Sequence, residues 1–321
     1  MYGMMEEIPI SGWIMNYSIV MTTYNGEHFL KEQLDSLRLQ TRAPYEVLIF
    51  DDGSTDSTAS LITEYLAKHH LPWSFFINEK NLGWKKNFMH GIAQATGDIV
   101  FLCDQDDIWL LEKCETMMAV MEKKPSCNVL LTNYYPYITD GGTNVSRRSR
   151  FHSNNKKLRK IPCTVKYLQA NLRPGCTYCV KKSFFDRMSH YWEEDMAHDG
   201  FLYYTGLLTQ SLFLLNYRSI KFRRHGRNNS PLVKMSSNGI MDNIKDIQRQ
   251  MENHLTFLND NQLPDQNEVI ARIQVIQRWC RARYVFFQNP SLIKWMVLVC
   301  RFFGVYPTVK TMLMDLKLSM I

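Results

Sequence analysis

Short apolar runs alternate with amphipathic segments along the first 135 residues of the chain. Five strands are predicted from the apolar runs, at residues 17–22, 45–50, 73–77, 98–103 and 128–135. Four helices are predicted between them, at residues 29–39, 57–69, 86–95 and 111–123. Such alternation predicts an α/β fold, in which a mostly parallel sheet carries helices on both faces.

Three carboxylates follow the fourth predicted strand, in the segment Asp104-Gln105-Asp106-Asp107. A helix is expected to begin at Ile108, immediately after them. Open α/β sheets bind ligands at the carboxyl ends of their strands. Crowded carboxylates repel one another, which raises their pKa unless a cation joins them. Helix capping explains one or two of these residues. Three carboxylates within four positions instead favour a site for Mg²⁺ or Mn²⁺ that is bound together with substrate phosphates.

Two other predicted strands end in polar residues that would lie beside these carboxylates. They are followed by Thr23-Tyr24-Asn25-Gly26 and by Asp51-Asp52-Gly53-Ser54. An aromatic ring near an Asp suits a nucleobase, because the ring stacks and the carboxylate accepts an imide N–H. Asp52-Gly53 alone indicates a plain turn. The convergence of three such strand ends favours a nucleotide site.

Three further segments carry weaker signals. Residues 81–87 stand at a predicted helix entry, whose backbone N–H groups can hold an anion. Asp199 precedes an apolar helix predicted at residues 201–215, where capping is the plain explanation. Residues 222–229 contain three arginines and a histidine, which suit a pyrophosphate, an acidic acceptor or an exposed basic turn. The glycine-rich motifs of classical dehydrogenases and P-loop enzymes are absent, which disfavours those classes.

The second half of the chain departs from strand–helix alternation. Residues 140–160 are polar and strongly basic, which predicts a mobile loop, either solvated or closing over phosphates. Helices are then predicted at residues 240–258 and 267–287 and from residue 292. The eight cysteines show no framework spacing, so reduced thiols in a cytoplasmic protein are expected.

The C-terminal segment carries the entire charge excess of the chain. Residues 271–321 contain eight basic residues and a single acidic one, Asp315, whereas the whole chain has a net charge of +7. Aromatic residues are interspersed, and residues 293–306 are too short to span a bilayer but suit its interface. We therefore predict peripheral docking on an anionic membrane. A core-packed appendage with a basic outer face is the alternative; RNA binding is a lesser one, without a recognised motif.

These segments together resemble family 2 glycosyltransferases of the GT-A (Rossmann-like) fold, in the rhamnosyltransferase-like branch of bacterial polysaccharide gene clusters. The resemblance is strongest over residues 17–135 and continues more thinly to about residue 230. Its marks, in order, are Thr23-Tyr24-Asn25-Gly26, Asp51-Asp52-Gly53-Ser54-Thr55-Asp56, Asn81-Leu82-Gly83, Asn87, Asp104-Gln105-Asp106-Asp107-Ile108-Trp109, His198-Asp199 and Arg223-x-His225.

The resemblance implies inverting transfer of rhamnose or another hexose from a dTDP- or UDP-linked donor. The acceptor would be a glycan or lipid-linked oligosaccharide in capsule or O-antigen synthesis, at the inner face of the cell membrane. Asp199 would be the general base, and Asp104 and Asp106 would hold Mg²⁺ or Mn²⁺. The implied donor-binding residues are Thr23, Tyr24, Asn25, Asp52, Ser54, Asn81, Gly83, Asn87, Asp104, Arg223 and His225. Relatives commonly carry aromatic residues directly after the His-Asp pair, whereas Gly200 stands here.

The sequence pattern and the resemblance together predict a division of the chain. Residues 1–14 would be an extension, residues 15–230 the GT-A domain with a donor half at 15–135 and an acceptor half at 136–230, and residues 231–321 a helical, basic and aromatic appendage. A nucleotidyltransferase is one alternative, but it usually needs a glycine-rich basic loop after its first strand. An inactive nucleotide- or sugar-binding module is another, against which the retained carboxylates argue. A nucleic-acid partner is not expected.

Overall fold

A nine-stranded sheet runs through the part of the chain that the computed structural model describes, which is residues 15–139, 152–169, 171–226, 237–263 and 265–319. The strands are β1 (Tyr17–Thr23), β2 (Glu46–Asp51), β3 (Ser74–Ile77), β4 (Ile99–Cys103), β5 (Ile108–Trp109), β6 (Val129–Ile138), β7 (Leu158–Lys160), β8 (Tyr178–Lys181) and β9 (Leu212–Arg224). Their order in the sheet is β3-β2-β1-β4-β8-β6-β9-β5, and β7 pairs with β9.

Parallel pairing brings three strand ends to one edge of the sheet. Strand β1 lies between β2 and β4 and is parallel to both, with Thr23 opposite Asp51 and Met21 opposite Cys103. Strands β6 and β9 form the longest parallel pair, whereas β8, β5 and β7 run antiparallel to their neighbours. The sheet is thus mostly parallel, and the polar segments after β1, β2 and β4 emerge together, as the sequence predicted.

Helices cover both faces of this sheet. Among the described residues they are α1 (Leu30–Arg38), α2 (Thr58–His69), α3 (Trp84–Gln94), α4 (Lys113–Lys123), α5 (Val165–Leu168), α6 (Lys182–Met188), α7 (His198–Leu208), α8 (Ser237–Asn261), α9 (Gln266–Gln288), α10 (Leu292–Phe302) and α11 (Val309–Ser319). Successive residues of a strand face opposite sides, so Ile19 and Met21 pack with α1, α2 and α4, whereas Val20 packs with α3 and α7. The predicted fold class is confirmed.

The helix expected at Ile108 is wrong. Ile108 and Trp109 form β5, which pairs antiparallel with Lys221 and Ile220 of β9, and helix α4 begins only at Lys113. Two apolar residues fit the first turn of a helix as well as a short strand. Pairing with β9 decides between them, because it gives this backbone its hydrogen-bond partners.

Two other predicted boundaries also need correction. Helix α7 ends at Leu208, and Gln210, with φ of 53°, turns the chain into β9, so residues 212–215 are strand rather than helix. An apolar run of this length satisfies both patterns, and parallel pairing with β6 selects the strand. Within the loop predicted at residues 140–160, Leu158–Lys160 forms β7, while residues 140–151 lie outside the described residues.

The C-terminal helices pack on the sheet domain through their inner faces. Buried residues of α8 and α9, such as Ile244 and Trp279, belong to the same hydrophobic cluster as α7. Asp315 is buried and accepts hydrogen bonds from Arg283 Nε at 2.8 Å and Nη2 at 2.6 Å. Tyr306 donates a third, at 2.9 Å. The helices predicted from residue 240 are present, and their inner faces are core. Residues 1–14 lie outside the described residues.

A helix that crosses a bilayer needs about 20 consecutive, predominantly apolar residues. Among the described residues, no helix is both long enough and apolar enough to cross a membrane.

We expect the His254→Phe variant to resist acid better than the parent protein. Burial lowers the pKa of His254 to about 4 from its usual 6.5. Between these values the unfolded chain binds a proton that the folded chain does not, so stability falls as pH drops. This group accounts for about 3 kcal/mol over that window. Urea unfolding at pH 4 and pH 7 measures the difference; equal pH dependence in both proteins would contradict it.

Candidate active site

A cleft of about 530 Å³ opens where β1, β2 and β4 end. Most of the predicted site residues line it, namely Thr23, Tyr24, Asp52, Asn81, Gly83, Asn87, Asp104, Asp106 and Asp199. Asn25, Ser54, Arg223 and His225 are not among the residues that line it. The cleft is large enough for a nucleotide-sized ligand.

Two exposed aromatic rings, Tyr24 and Trp84, stand at the cleft. The backbone of Tyr24 is held by the side-chain amide of Gln105, which accepts from its N–H at 2.8 Å and donates to its carbonyl at 3.0 Å. The sequence prediction gave Gln105 no role, although it lies inside the acidic segment. Because Gln105 links the ends of β1 and β4, the position of Tyr24 depends on the acidic turn.

The turns after β1 and β2 are tied together by side chains. Asp51 is fully buried and accepts hydrogen bonds from Thr23 Oγ1 at 2.7 Å and Ser54 Oγ at 2.6 Å. Asn25, with φ of 48°, accepts from the backbone N–H of Thr55 at 2.8 Å. Asn25 and Ser54 therefore hold together the turns at the edge of the cleft without lining the cleft themselves.

Asp52 occupies the anion position at the start of α3. Its carboxylate accepts hydrogen bonds from the N–H groups of Leu82 at 2.7 Å and Gly83 at 2.8 Å, and from Asn78 Nδ2 at 2.9 Å. Asn87 is fully buried and shares a hydrogen bond with Asn78. The sequence predicted that these helix N–H groups receive a ligand anion. In the structure the anion at Leu82 and Gly83 is the protein's own Asp52.

The acidic turn brings two carboxylates and a thiol into one cluster. Ligand atoms of Asp104, Asp107 and Cys176 all lie within 4.8 Å of one another. Burial and the neighbouring Asp106 raise the pKa of Asp104 to about 7, and burial together with Asp106 and Asp104 also holds the pKa of Asp107 well above its usual range. Oδ2 of Asp107 is buried and has no hydrogen-bond partner among the described residues. Crowded, incompletely bonded carboxylate oxygens fit a divalent cation, the group that would relieve their repulsion.

A buried ammonium group lies beneath this cluster. Lys113 has no exposed surface, and its Nζ donates to the carbonyl of Cys176 at 2.7 Å and lies 3.3 Å from the ring centre of Trp109. Burial lowers the pKa of Lys113, and nearby groups that include Asp107 oppose this shift. From sequence, Lys113 is predicted only as part of the helix at residues 111–123. Nothing in the sequence indicates that its ammonium group lies beneath the acidic turn.

The end of β9 braces the acidic turn from behind. Arg223 Nε donates to the carbonyl of Asp106 at 2.7 Å, and the Arg223 N–H donates to Asp107 Oδ1 at 2.9 Å. The Asp106 carboxylate lies 2.9 Å from Nε2 of His225. Arg224, between them, lines the cleft instead. Arg223 and His225 therefore contact the acidic turn directly.

Asp199 faces the same cleft from the first turn of α7. Its Oδ1 accepts from the N–H of Gly200 at 2.8 Å, and its Oδ2 accepts from Asn171 Nδ2 at 3.2 Å. Ala197, not Asp199, is the N-cap residue, and Asp199 binds a first-turn N–H of α7 while it also lines the cleft. Burial raises the pKa of Asp199. A carboxylate of raised pKa in a cleft is suited to accept a proton.

His198 is a lining residue to which the sequence prediction gave no role. Its ring stacks on Phe88 at 4.0 Å between centroids, and neither ring nitrogen has a hydrogen-bond partner among the described residues. Burial lowers its pKa to about 3, so the ring is neutral at pH 7. The signal in the sequence was the His198-Asp199 pair, which is one of the marks of the family resemblance.

We expect Gly175→Ala to slow catalysis by displacing the His198-Asp199 pair. A Cβ at residue 175 would lie 2.8 Å from His198 Nε2 and 3.1 Å from Asp199 Cβ, closer than such atoms normally approach. Overpacking of this kind destabilises by about 1–3 kcal/mol. The matched control is Gly200→Ala, whose Cβ would meet only Ala197, at 3.9 Å. Thermal unfolding and turnover of both variants measure the effect; equal behaviour would refute the steric argument.

Comparisons with known proteins agree with this geometry. The sequence profile described as "Glycosyl transferase family 2" matches residues 18–188, more than half of the 321-residue chain. A "dTDP-rhamnosyl transferase RfbG" of Shigella flexneri is 26% identical over 224 residues, which cover 65% of this chain and 72% of that protein. Four other curated relatives match over less: the chain spans 27–36% of their length, at 31–39% identity.

Two solved structures share the fold. TarS residues 1–349 of S. aureus in complex with UDP superposes with a TM-score of 0.59, at 20% identity, over 91% of this chain and 81% of that one. The mannosyltransferase PcManGT of Pyrobaculum calidifontis, in complex with GDP-Man and Mn²⁺, gives a TM-score of 0.52, at 16% identity, over 96% and 86%. At these identities the likeness extends to the fold alone.

Proposed function

This chain belongs to glycosyl transferase family 2, and we propose that it is an inverting enzyme that moves rhamnose or another hexose from a dTDP- or UDP-linked donor. The observation that carries the proposal is that Asp104, Asp106 and Asp199 line one cleft beside two exposed aromatic rings. The acidic turn, which suits a cation, and the separate candidate base Asp199 therefore face the same cleft.

The donor nucleotide lies, in this proposal, over the ends of β1 and β2. Tyr24 or Trp84 stacks on the base, and Asp52 retains an acceptor position for an imide N–H. Asp104 and Asp106 would hold Mg²⁺ or Mn²⁺, and a cation bound there would supply positive charge for the departing diphosphate. His225 and Arg223 are assigned here as positioning residues, because they contact the acidic turn.

The acceptor hydroxyl is deprotonated by Asp199. Its oxygen forms the new bond to the anomeric carbon while the bond from that carbon to the diphosphate oxygen breaks. The proton passes to the Asp199 carboxylate, and the nucleoside diphosphate leaves with the bond electrons. A single displacement of this kind inverts the anomeric configuration. The burial that raises the pKa of Asp199 also makes it a stronger base.

The proposed acceptor is a glycan or a lipid-linked oligosaccharide used for capsule or O-antigen. The proposal draws on the likeness to RfbG, which is described as a dTDP-rhamnosyl transferase. It also draws on the basic C-terminal segment, which suits a peripheral position at the inner face of the cell membrane.

Product analysis tests this proposal against the nucleotidyltransferase and the inactive binding module. The protein is incubated with Mn²⁺ and, separately, with dTDP-, UDP- and GDP-sugars plus bacterial lipid extract, or with nucleoside triphosphates plus sugar phosphates. We expect a nucleoside diphosphate and a glycosylated lipid from one sugar donor. Pyrophosphate release from a triphosphate would establish a nucleotidyltransferase instead, and the absence of any product would favour the binding module.

A further inference from the structure

The outward face of α10 is apolar although it is exposed. Its members are Leu292, Ile293, Met296, Val297, Cys300 and Phe303, which directly follows the helix. Ile293 is 70% exposed and Phe303 is 63% exposed. Helical spacing places these residues along one continuous stripe. The opposite side of α10 is occupied by Leu298 and Phe302, which are buried against α9. The helix therefore satisfies its core with one face and leaves a second apolar face in solvent.

The helices that contact α10 also carry exposed apolar side chains. Val309 and Leu313 of α11, which are four residues apart, and Val285 of α9 are large, apolar and exposed. An apolar patch of several adjoining side chains on a protein surface indicates a site of interaction. We use the name apolar patch for these nine residues: Val285, Leu292, Ile293, Met296, Val297, Cys300, Phe303, Val309 and Leu313.

The exposed charged side chains of residues 271–321 are all positive. Six basic residues of the same helices are exposed: Arg278, Arg281, Lys294, Arg301, Lys310 and Lys317. The single acidic residue of the segment, Asp315, is buried in its pair with Arg283 and contributes no negative surface. Lys294 and Arg301 lie seven residues apart and thus on one side of α10, next to its apolar stripe. An apolar stripe bordered by cations complements the boundary between acyl chains and anionic headgroups.

The apolar patch is joined to the acceptor side of the cleft by a short piece of chain. Gln169 Nε2 donates to the carbonyl of Val305, just after α10, at 2.8 Å. Two residues later, Asn171 Nδ2 donates to the candidate base Asp199 at 3.2 Å. Asn171 is itself held by the hydroxyl of Tyr178. The helix that carries the apolar patch and the residue that would activate the acceptor are therefore linked through two side chains.

We infer that the apolar patch is a membrane-docking surface: α10 lies in the interface of an anionic bilayer, with its exposed stripe among the lipid chains, and presents the acceptor side of the cleft to that bilayer. This deepens the proposed function and rests on it for the identity of the acceptor as a lipid-linked saccharide. The surface itself needs no donor and no cation. A bilayer is favoured over RNA because the stripe is apolar, and over a second copy of the chain because like-charged patches repel.

Vesicle flotation of the full chain tests this inference. Wild type is expected to float with vesicles of phosphatidylcholine and phosphatidylglycerol, at least ~10-fold more than with phosphatidylcholine alone, and less at high salt. The double variant Ile293→Gln/Val297→Gln is expected to lose at least ~10-fold in vesicle binding. The matched control, Leu39→Gln/Leu111→Gln, removes two side chains that are 50% and 54% exposed elsewhere on the surface and should bind as wild type does.

Charge is tested separately with Lys294→Gln/Arg301→Gln, which should reduce the preference for anionic vesicles. Equal binding of wild type to both vesicle types, or no binding, would overturn the inference. The inference would also be overturned if sedimentation showed a dimer that Ile293→Gln/Val297→Gln abolishes and the wild type bound no vesicles. RNA binding that the same variant abolishes, again without vesicle binding by the wild type, would overturn it too. Nucleoside-diphosphate binding is measured on the same samples. If the wild type floats with anionic vesicles but binds no nucleoside diphosphate, the proposed function is refuted and the docking surface is still supported.

Discussion

Asp199→Asn is expected to reduce sugar transfer by about 10³-fold while leaving donor binding intact, because general-base catalysis contributes about 10²–10⁴-fold. The amide keeps the shape of the side chain but cannot accept the proton of the acceptor hydroxyl. Burial raises the pKa of Asp199, so the ionised carboxylate is disfavoured in the fold. The neutral amide should therefore leave the protein as stable as the parent or more stable at neutral pH. Initial rates, calorimetric affinity for the nucleoside diphosphate and thermal unfolding measure the three parts.

The control for this variant is Asp186→Asn, which removes an exposed carboxylate that pairs with the partly buried Lys182 on α6. Ion pairs near the surface contribute little, so activity should be unchanged and stability should change by less than about 1 kcal/mol. The parent enzyme should also lose activity as pH falls through the raised pKa of Asp199. A fully active Asp199→Asn protein would remove the proposed base.

Asp104→Asn is expected to abolish the effect of a divalent cation on donor binding and to lower the rate of transfer by about 10³-fold. A bound cation stabilises the negative charge that develops in the transition state by several kcal/mol. Burial and repulsion from Asp106 raise the pKa of Asp104 to about 7. The metal-free parent therefore loses stability as pH rises from about 4 to about 7, because the folded state gives up this proton later than the unfolded chain. The amide removes that loss, so the metal-free variant should be more stable than the parent at pH 7 and above.

Asp260→Asn is the matched control, because Asp260 is an exposed carboxylate on α8. It should change neither the cation dependence nor the stability of the metal-free protein. The assignment of Asp104 to the cation fails if Asp104→Asn retains cation-dependent binding. It also fails if the variant is less stable without metal than the parent, because that result would make the carboxylate a structural residue.

The fold could be predicted where a hydrophobic pattern continued over many residues. It could not be predicted where a short apolar run fitted both a helix and a strand. Strands β1, β2 and β4 and helices α1 to α3 follow from apolar patterning, and their order implied the parallel sheet. Residues 108–109 and 212–215 became strands because β9 offers hydrogen bonds to the first pair and β6 to the second. Such pairings join residues about a hundred positions apart, and local pattern carries no information about them.

The candidate site could be located from sequence because parallel strand ends share one edge. The division of labour inside it could not. Asn25 and Ser54 also connect turns, and Asp52 also holds the start of α3, which are roles that their ligand-binding pattern did not indicate. Lys113 and Cys176 approach the acidic turn only through tertiary packing, so their spacing along the chain gives no warning.

Calorimetric titration with UDP, dTDP and GDP, each with and without Mn²⁺, measures whether the cleft binds a nucleoside diphosphate together with a metal ion. We expect that one of the three diphosphates binds, that Mn²⁺ tightens this binding at least ~10-fold, and that Asp104→Asn loses the Mn²⁺ increment. Binding that is equally tight without the cation, or no binding of any of the three, would contradict the claim that this cleft holds a nucleotide-sugar donor on a metal.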